Sequence, residues 1–530
     1  MIACLFFFIA GLALIPHAGI ENDEALFAQA IYEPRAELFA IGIGPSHVPL
    51  MLMSYLGALK SLIYKPILLI FGTGLFALRV PMLLAGTLSV WLFFLLIRRI
   101  AGERAALIGC CLLAVDSSYL ATVCFDWGPV ALQHLLLVGG ALLLVRFYQE
   151  KQPWALAGGF FLFGLAMWDK ALTVWLLSGM AVAGISTLPR QIFVTITGRR
   201  VAIAVLAFVL GALPLLVYNV DNHWGTFHGN WSRDTKGITG KARFLLYTES
   251  KGLFGWLTAS DWQTPEPQPP NGMAQSTAAR ISALAGSPHK FQLVYAFVLA
   301  LMLAPLAGRN GIRAILFCLI VMAVAWIQMA MNANTGASLH HTILLWPIPE
   351  LIIAISFAGA SRRLGRAAIP ALATAMALLL ASGALVINQY YVELWRYGGA
   401  QSWNEAIFAL SGYVKGLNAK NVVCMDWGIM DPLRLLDRGR LPLIEGSDPV
   451  SKPEMSDEDR RGAMWLLNEP ANVYIAHTKE FAFFPLPSPN LIRFAEKSGY
   501  RRTVIAVISD RYGRHVYEVY RFVGGPGALN

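Results

Sequence analysis

The stretch GIENDEALFAQ, residues 19–29, follows directly on the first apolar run of the chain and places three carboxylates within four positions. Asn22 suits a helix N-cap, and Asp23 and Glu24 then fall in the first turn, where the helix dipole favours negative charge. Two interpretations fit this pattern: a solvated helix cap at a membrane surface, or a functional acidic site. The positions of the other isolated charges in the chain decide between them.

The composition predicts a polytopic membrane protein. Of the 530 residues, 56% are hydrophobic and only 14% are charged, whereas soluble domains carry roughly 25% charged residues. The net charge of +10 comes from short arginine clusters between apolar runs, as the positive-inside rule expects. No basic, aromatic-rich soluble face is present, which argues against a nucleic-acid partner.

The cysteines and the first residues add two smaller predictions. The six cysteines show neither a disulfide framework nor metal-type spacing, and only Cys424 lies in a polar region. The first twenty residues lack a basic n-region and a clear cleavage site. We therefore expect a retained signal-anchor helix at the start of the chain.

The basic clusters fix much of the membrane topology. Between clusters on the cytoplasmic side the chain must cross the bilayer an even number of times, and each crossing needs about 20 apolar residues. The clusters used here are Arg98/Arg99/Arg104, Arg146/Lys151, Arg190/Arg199/Arg200, Arg309/Arg313 and Arg362/Arg363/Arg366. With Met1 inside, Asp23 and Glu24 are expected outside.

Three segments need this parity argument. Residues 48–74 contain Lys60 and Lys65 and are predicted to form one or two interfacial helices on the outer surface. Residues 104–146 form a hairpin with its tip between Asp116 and Asp126. Residues 155–188 are apolar except for Asp169-Lys170 near the middle. Two short spans there bring Asp169 and Lys170 to the same side as Asp23.

The predicted fold class is mainly α. About eleven transmembrane helices with outer-face interfacial helices form residues 1–388, a long aromatic and proline-rich outer loop covers residues 221–290, and an extracytoplasmic α/β domain forms residues 389–530. In that domain we expect strands at residues 421–426, 471–477, 503–509 and 515–522, with helices at 456–467 and 490–498. Alternation of this kind is typical of a small α/β domain.

The even number of crossings between basic clusters places charged groups of both signs on one face of the membrane. They are Asp23, Glu24, His47, Arg79, Asp126, Asp169, Lys170, His340 and His341. Taken singly, such residues are more often interface anchors than catalysts. Together they suit glycosyl transfer from a lipid phosphate, because carboxylates can take a proton from a hydroxyl while cations hold the phosphate.

At this point the sequence resembles a known family. NDEALFAQA after the first span is similar to the acidic first-loop motif of the C-type membrane glycosyltransferases, in particular the bacterial protein mannosyltransferase and aminoarabinose lipid A transferase superfamily. Further similar segments follow in order, over roughly residues 1–360. They are HVPL at 47–50, LRVP at 78–81, RRIAGERAAL at 98–107, DWGP at 126–129, GLAMWDK at 164–170 and the histidine pair at 340–341 ahead of Pro347.

The resemblance implies roles for these residues. Asp23 would be the base that activates the acceptor, and Glu24 its neighbour or a contact to a metal or to the acceptor. Lys170 and Arg79 would neutralise the donor phosphate, and His340 and His341 are further candidates. His47 and Asp126 belong to the same expected substrate site. No cofactor is implied with certainty, although a divalent cation is possible.

The expected activity is inverting transfer of a sugar from a polyprenyl-phosphate donor to a lipid, protein or glycan hydroxyl. It takes place on the periplasmic face of the bacterial inner membrane, in contact with membrane lipids. A transporter or flippase of a lipid-linked sugar is the alternative, but it would place charges along a path through the membrane. A third interpretation is a binding module on a membrane anchor. Within the outer domain, Asp426-Trp427-Gly428 is either a strand-terminating turn or a site of its own.

Overall fold

The computed structural model describes residues 1–33, 36–44, 46–251, 254–259, 264–288 and 290–525. Trp262, one of the aromatic residues of the predicted outer loop, lies outside these ranges. A helical bundle forms the larger part of the molecule, and an α/β region built on a five-stranded sheet follows it. Both agree with the predicted fold class.

The helices of the bundle run from the first residues to Tyr397. They are α1 Ile2–Leu14, α2 Asn22–Ala25, α3 Gln29–Tyr32, α4 Leu59–Phe71, α5 Leu75–Ala101, α6 Glu103–Ala114, α7 Ser117–Cys124, α8 Ala131–Glu150, α9 Pro153–Asp169, α10 Thr173–Thr187, α11 Pro189–Thr195, α12 Gly198–Asp221, α13 Gly225–Asn230, α14 Ile238–Lys251, α15 Gly272–Ala285, α16 Leu293–Leu303, α17 Gly308–Met331, α18 Leu339–Thr342, α19 Ile348–Arg363 and α20 Ala368–Tyr397.

The described residues contain six helices that are long and apolar enough to span a membrane, or eight if each of two bent pairs counts as one span. Helices of the structure also lie in the apolar runs between the arginine clusters. However, α9 and α10 have only 17 and 15 residues, which is at or below the usual length of a crossing. The count of about eleven therefore stays a prediction.

Two turns of the bundle test the parity argument. The break at Asp169-Lys170 is confirmed, because α9 ends at Asp169 and α10 begins at Thr173. The hairpin tip is narrower than predicted. The chain continues as α7 beyond Asp116, whose side chain accepts a hydrogen bond from the Tyr119 amide at 2.7 Å and so caps that helix. Only Asp126 lies at the turn into α8.

The prediction of helix was wrong for residues 48–57. These residues belong to a three-stranded antiparallel sheet of β1 Phe39–Ile43, β2 Ser46–Met53 and β3 Leu56–Gly57, and helix begins only at α4. Pro49 lacks the amide that a helix interior needs. The indole of Trp168 also donates to the Leu50 carbonyl at 2.7 Å, which ties this sheet to the end of α9.

Helices α9 and α12 approach closely through a pair of glycines. A Cβ on Gly164 would overlap the carbonyl oxygen of Phe208, and a Cβ on Gly211 would overlap that of Phe161. Small residues of this kind let two helix backbones pack directly within a membrane. The contact holds the end of α9, and with it Lys170, against the rest of the bundle.

The α/β region follows α20. Its elements are α21 Ala406–Lys415, β4 Val422–Cys424, α22 Met430–Asp437, β5 Leu443–Glu445, α23 Asp457–Leu467, β6 Val473–His477, α24 Pro487–Lys497, β7 Tyr500–Ser509 and β8 His515–Gly524. All four predicted strands and both predicted helices are confirmed. The elements α21, α22 and β5 were not predicted. The helix α22 and the strand β5 have only eight and three residues.

The sheet of this region has the strand order β5-β4-β6-β8-β7. Strands β5 and β6 both pair with β4 in parallel, whereas β8 pairs antiparallel with β6 and β7. Helices α21 and α22 pack on one face of the sheet, and α23 and α24 pack on the other. The parallel half is therefore doubly wound, with helices on both faces.

We expect Gly164→Val to lower the free energy of unfolding by about 1 to 3 kcal/mol, because the new side chain forces α9 away from α12. Thermal unfolding in detergent measures the effect. Gly240→Ala in α14 is the control, since a Cβ there meets nothing within 4 Å. Equal stability of the Gly164→Val variant and the wild type would contradict the direct backbone contact.

Candidate active site

The acidic segment, defined here as residues 19–29, is organised by Glu21. Its carboxylate accepts hydrogen bonds from the amides of Asp23 at 2.7 Å and Glu24 at 3.2 Å, so Glu21 is the N-cap of α2. The prediction of Asn22 as the cap was wrong by one residue, because the longer glutamate side chain also reaches these amides. Asp23 and Glu24 lie in the first helical turn, as predicted.

Arg79 joins this segment to the bundle and uses each of its N–H donors. Nε and Nη2 donate to the two carboxylate oxygens of Glu24 at 2.6 and 2.9 Å. Nη1 donates to the carbonyls of Ile15 and Ala18 at 2.8 and 2.9 Å, and Nη2 also donates to the Gly19 carbonyl at 2.6 Å. A guanidinium with all donors engaged has none left for a phosphate.

This geometry changes two of the expected roles. Glu24 and Arg79 are both 1% exposed and form a bidentate ion pair. The Arg79 guanidinium also lies over the Phe125 ring, 4.6 Å from its centroid. We therefore assign Arg79 and Glu24 to the architecture of the site, in place of phosphate binding and of catalysis.

Lys60 is a cation of the site that the sequence interpretation missed. Its Nζ lies 2.6 Å from Asp126 Oδ2 and donates to the Glu24 carbonyl at 3.0 Å. Asp126 Oδ1 accepts from the amides of Val130 and Ala131, each at 2.9 Å, and so fixes the start of α8. Asp126 therefore lies beside Lys60, and its oxygens are engaged with Lys60 and with backbone amides.

Lys170 lies in the connection between α9 and α10 and is 3% exposed. Its Nζ donates to the carbonyl of Gly128, the one partner found among the described residues. Burial lowers the pKa of Lys170 to about 8, against the opposing effect of Asp23, Asp169 and Asp126. Because an ammonium has further N–H donors, Lys170 can still bind an anion.

Asp23 differs from the other carboxylates of the acidic segment. Its side chain is half-buried, whereas Glu21 and Glu24 are each 1% exposed. Within the part of the chain that the structure describes, its carboxylate has neither a hydrogen bond nor an ion pair. Burial raises the pKa of Asp23 above its usual value, and the nearby cations Lys170 and Lys60 oppose that shift. Asp23 is therefore poised to accept a proton.

The histidine pair adjoins Lys170. The His340 ring packs edge-on against Trp127 with a centroid distance of 5.3 Å, and it lies beside Gly128, the residue that Lys170 contacts. His341 Nδ1 is buried without a hydrogen-bond partner among the described residues. His47 lies elsewhere, exposed on β2, where its Nε2 contacts Glu37.

An aromatic cavity opens next to the histidines. It has a volume of about 400 Å³ and is lined by Gly240, Arg243, Phe244, Tyr247 and Trp256. The Trp256 ring contacts the Trp127 ring at a centroid distance of 5.6 Å. The packed rings of Trp256 and Trp127 thus lie between the cavity and Gly128, and the exposed Arg243 provides a positive charge at the rim of the cavity.

The α/β region contacts the acidic segment and its flanks directly. The Gly19 amide donates to the Trp403 carbonyl at 2.6 Å, and Arg434 Nε contacts Glu33 Oε2 at 2.6 Å. The Asp431 carboxyl is hydrogen-bonded to Asn22, and its burial raises its pKa to about 6. These partners were not predicted, because no local pattern shows that α22 reaches residues four hundred positions earlier.

The residues that the structure describes do not form a site for a resident divalent cation. Among the described residues, no three His, Cys, Asp or Glu side chains come together as metal ligands. The Glu24 carboxylate forms an ion pair with Arg79. The Asp126 carboxylate contacts Lys60 and accepts hydrogen bonds from two backbone amides. No step of the chemistry proposed below uses a metal ion.

Comparison with known proteins gives a family match and a fold. Residues 59–218 match the family of dolichyl-phosphate-mannose-protein mannosyltransferases. No curated protein matches the sequence. The predicted resemblance to the membrane glycosyltransferase superfamily is confirmed by this match together with the shared fold described next.

The structure is similar to that of ArnT from Cupriavidus metallidurans in the apo state, with a TM-score of 0.56, 14% identity and coverage of 98% of this chain and 96% of that one. ArnT bound to undecaprenyl phosphate gives a TM-score of 0.55 with the same identity and coverage. The Archaeoglobus fulgidus oligosaccharyltransferase in complex with Zn and sulfate gives 0.52 at 12% identity, covering 96% of this chain and 72% of that one. At these identities the likeness shows the fold alone.

We expect Arg79→Met to lower the free energy of unfolding by about 3 to 5 kcal/mol, because it leaves Glu24 buried without its cation. Unfolding in detergent measures the loss. The exposed Arg98→Met is the control, and the double variant Arg79→Met/Glu24→Met should regain part of the stability. If Arg79→Met were as stable as the wild type, the architectural role would be wrong.

Proposed function

We propose, on the premise that this chain has the fold of the membrane glycosyltransferases, that it transfers a sugar from a polyprenyl-phosphate donor to an acceptor hydroxyl. One observation carries the proposal. Asp23 is a half-buried carboxylate without a partner in the described residues, and two buried lysines, Lys60 and Lys170, lie near it. A base beside cations suits attack of a hydroxyl on a phosphate-activated sugar.

The chemistry follows from the charges. The carboxylate of Asp23 takes the proton of the acceptor hydroxyl while that oxygen bonds to the anomeric carbon. The bond from this carbon to the phosphate oxygen breaks, and the polyprenyl phosphate leaves as an anion. Displacement in one step inverts the anomeric carbon. Because Asp23 is only half-buried, it can return its proton to water.

The donor phosphate is assigned to Lys170 with the support of Lys60. Lys170 has a single hydrogen-bond partner among the described residues, whereas Lys60 is already paired with Asp126. A stable leaving anion needs cations rather than a general acid. The undecaprenyl phosphate bound to ArnT supports a donor lipid of the same class.

We further propose that the site faces the periplasm of a bacterial inner membrane, with about eleven spans. This orientation is supported by the arginine clusters, which the positive-inside rule assigns to the cytoplasm. The proposed α/β domain, residues 389–530, then lies outside the membrane. Its contacts with residues 19–33 are consistent with an active site on the same side.

A flippase remains the alternative from another class, and the charges favour the enzyme. A transport path would need ionisable groups in succession through the bundle. Asp116 and Glu350 are buried within the helices, but Asp116 is hydrogen-bonded to Glu350 and accepts from the Trp346 indole at 3.0 Å. We assign this pair to the packing of α7 against α19.

We expect Asp23→Asn to lower kcat by about a hundredfold to ten-thousandfold, with little change in KM, because the amide cannot take the acceptor proton. Transfer of radiolabelled sugar from polyprenyl phosphate to an acceptor extract measures the rate. Asp221→Asn, at the exposed end of α12, is the control. Full activity of Asp23→Asn with unchanged thermal stability would rule out Asp23 as the base.

We expect kcat/KM to pass through a maximum with pH. It rises as Asp23 loses its proton, at a pH above the usual aspartate range, and falls above about pH 8 as Lys170 loses its charge. In Lys170→Arg the falling limb should disappear, because a guanidinium stays protonated. Lys236→Arg, at an exposed position, serves as the control. A falling limb that is unchanged in Lys170→Arg would remove Lys170 from donor binding.

A further inference from the structure

The carboxyl edge of the parallel strands in the α/β region has the topology of a binding site. From β4 the chain passes to β5 on one side of β4 and then to β6 on the other. In open α/β sheets, ligands bind outside the carboxyl ends of the strands at such a switch point. Here the switch point lies between the ends of β4 and β6, where Asp426 and His477 are located.

Asp426 is fully engaged in shaping this edge. Its two oxygens accept from the amides of Trp427, Phe483 and Phe484 at 2.9, 2.8 and 2.9 Å. Oδ2 also lies 2.8 Å from His477 Nδ1, and both side chains are buried. Asp426 therefore fixes the loop after β6 and the orientation of the imidazole ring at the same time.

This pairing leaves the other ring nitrogen of His477 available. With Nδ1–H donating to a carboxylate, Nε2 of the neutral ring is a hydrogen-bond acceptor. Nε2 is buried and has no hydrogen-bond partner among the described residues. A buried acceptor without a hydrogen bond destabilises the fold, and a purely structural role for His477 gives no compensation for that loss. A ligand hydroxyl would satisfy it.

The surroundings of the ring indicate what kind of ligand fits. A Cβ on Gly428 would meet only His477 Cε1, at 4.0 Å, so there is room beside Gly428 next to the Cε1 atom of the ring. The Trp427 ring packs on Phe483 with a centroid distance of 4.5 Å, and the Phe484 side chain is 51% exposed. Aromatic faces beside a hydroxyl-binding nitrogen suit a sugar ring.

The local charge argues against an anionic ligand. Asp431 lies in the first turn of α22, the helix that follows β4. Its carboxylate, paired with Arg434 of the same helix, already occupies the helix N-terminus, a position that would otherwise favour a phosphate. Because Asp431 also contacts Asn22, this edge of the sheet faces the acidic segment.

We propose that Asp426, Trp427, Gly428 and His477 form a second binding site, which takes an uncharged carbohydrate through a hydroxyl donated to His477 Nε2. That the carbohydrate belongs to the acceptor rests on the proposed function. The turn at residues 426–428 is then a site in its own right, and the α/β region selects the acceptor rather than only covering the cleft.

Saturation-transfer NMR on the full chain in nanodiscs tests the site, with the neutral disaccharides mannobiose, chitobiose and maltose as probes. We expect at least one to bind the wild type, and His477→Phe to weaken that binding about fivefold to tenfold through the lost hydrogen bond. Trp427→Ala removes the aromatic face but leaves the hydrogen bond between Asp426 and His477, so it should weaken binding even if His477→Phe folds poorly. His515→Phe is the control, because His515 is an exposed histidine of the same region.

Asp23→Asn should bind the disaccharide as the wild type does, which separates this site from catalysis. Binding that depends on His477 and Trp427, without any sugar transfer, would keep the site and reject the proposed function. The site would be overturned if the wild type bound none of the probes, or if His477→Phe and Trp427→Ala both bound them as tightly as the wild type does. Neither result would affect the transfer assay.

Discussion

The ion pair between Arg79 and Glu24 is the constraint on which the rest of the site depends. It ties the acidic segment to α5, and the same guanidinium binds the carbonyls that end the first helix. A charge buried in this way is tolerated only when it is paired and its remaining donors are satisfied. The pair thereby fixes the first turn of α2, in which Asp23 is the neighbour of Glu24.

The same requirement that buried charges be paired separates the structural charges of the site from those that are available for chemistry. Lys60 and Asp126 neutralise each other and connect α4 to the start of α8. Among the described residues, the Asp23 carboxylate has neither a hydrogen bond nor an ion pair and Lys170 donates only to the Gly128 carbonyl, so both keep unused hydrogen-bonding capacity. Asp169 Oδ2 is likewise without a hydrogen-bond partner in the described residues. Burial shifts the pKa of each toward neutrality, Asp23 upward and Lys170 downward. A base and a cation of this kind are what transfer from a phosphate donor requires.

Patterns along the chain predicted part of this arrangement. Parity located the break at Asp169-Lys170, because an ion pair in the middle of an apolar run must reach a surface. The roles of Arg79 and Glu24 were not predictable from the sequence. Whether Arg79 pairs with Glu24 or binds a phosphate depends on distances between separate helices. Lys60 was missed because it shares an apolar stretch with Lys65, and lysines in such a stretch are typical of interfacial helices. Strand β2 was missed because its apolar residues show no clear period.

A cryo-EM structure of the protein in nanodiscs with polyprenyl phosphate tests the central claim most directly. The account predicts the phosphate within ion-pair distance of Lys170, on the same side of the bundle as the Asp23 carboxylate, with Arg79 still bound to Glu24. A phosphate held by Arg79, or one bound at a site from which Asp23 points away, would contradict it.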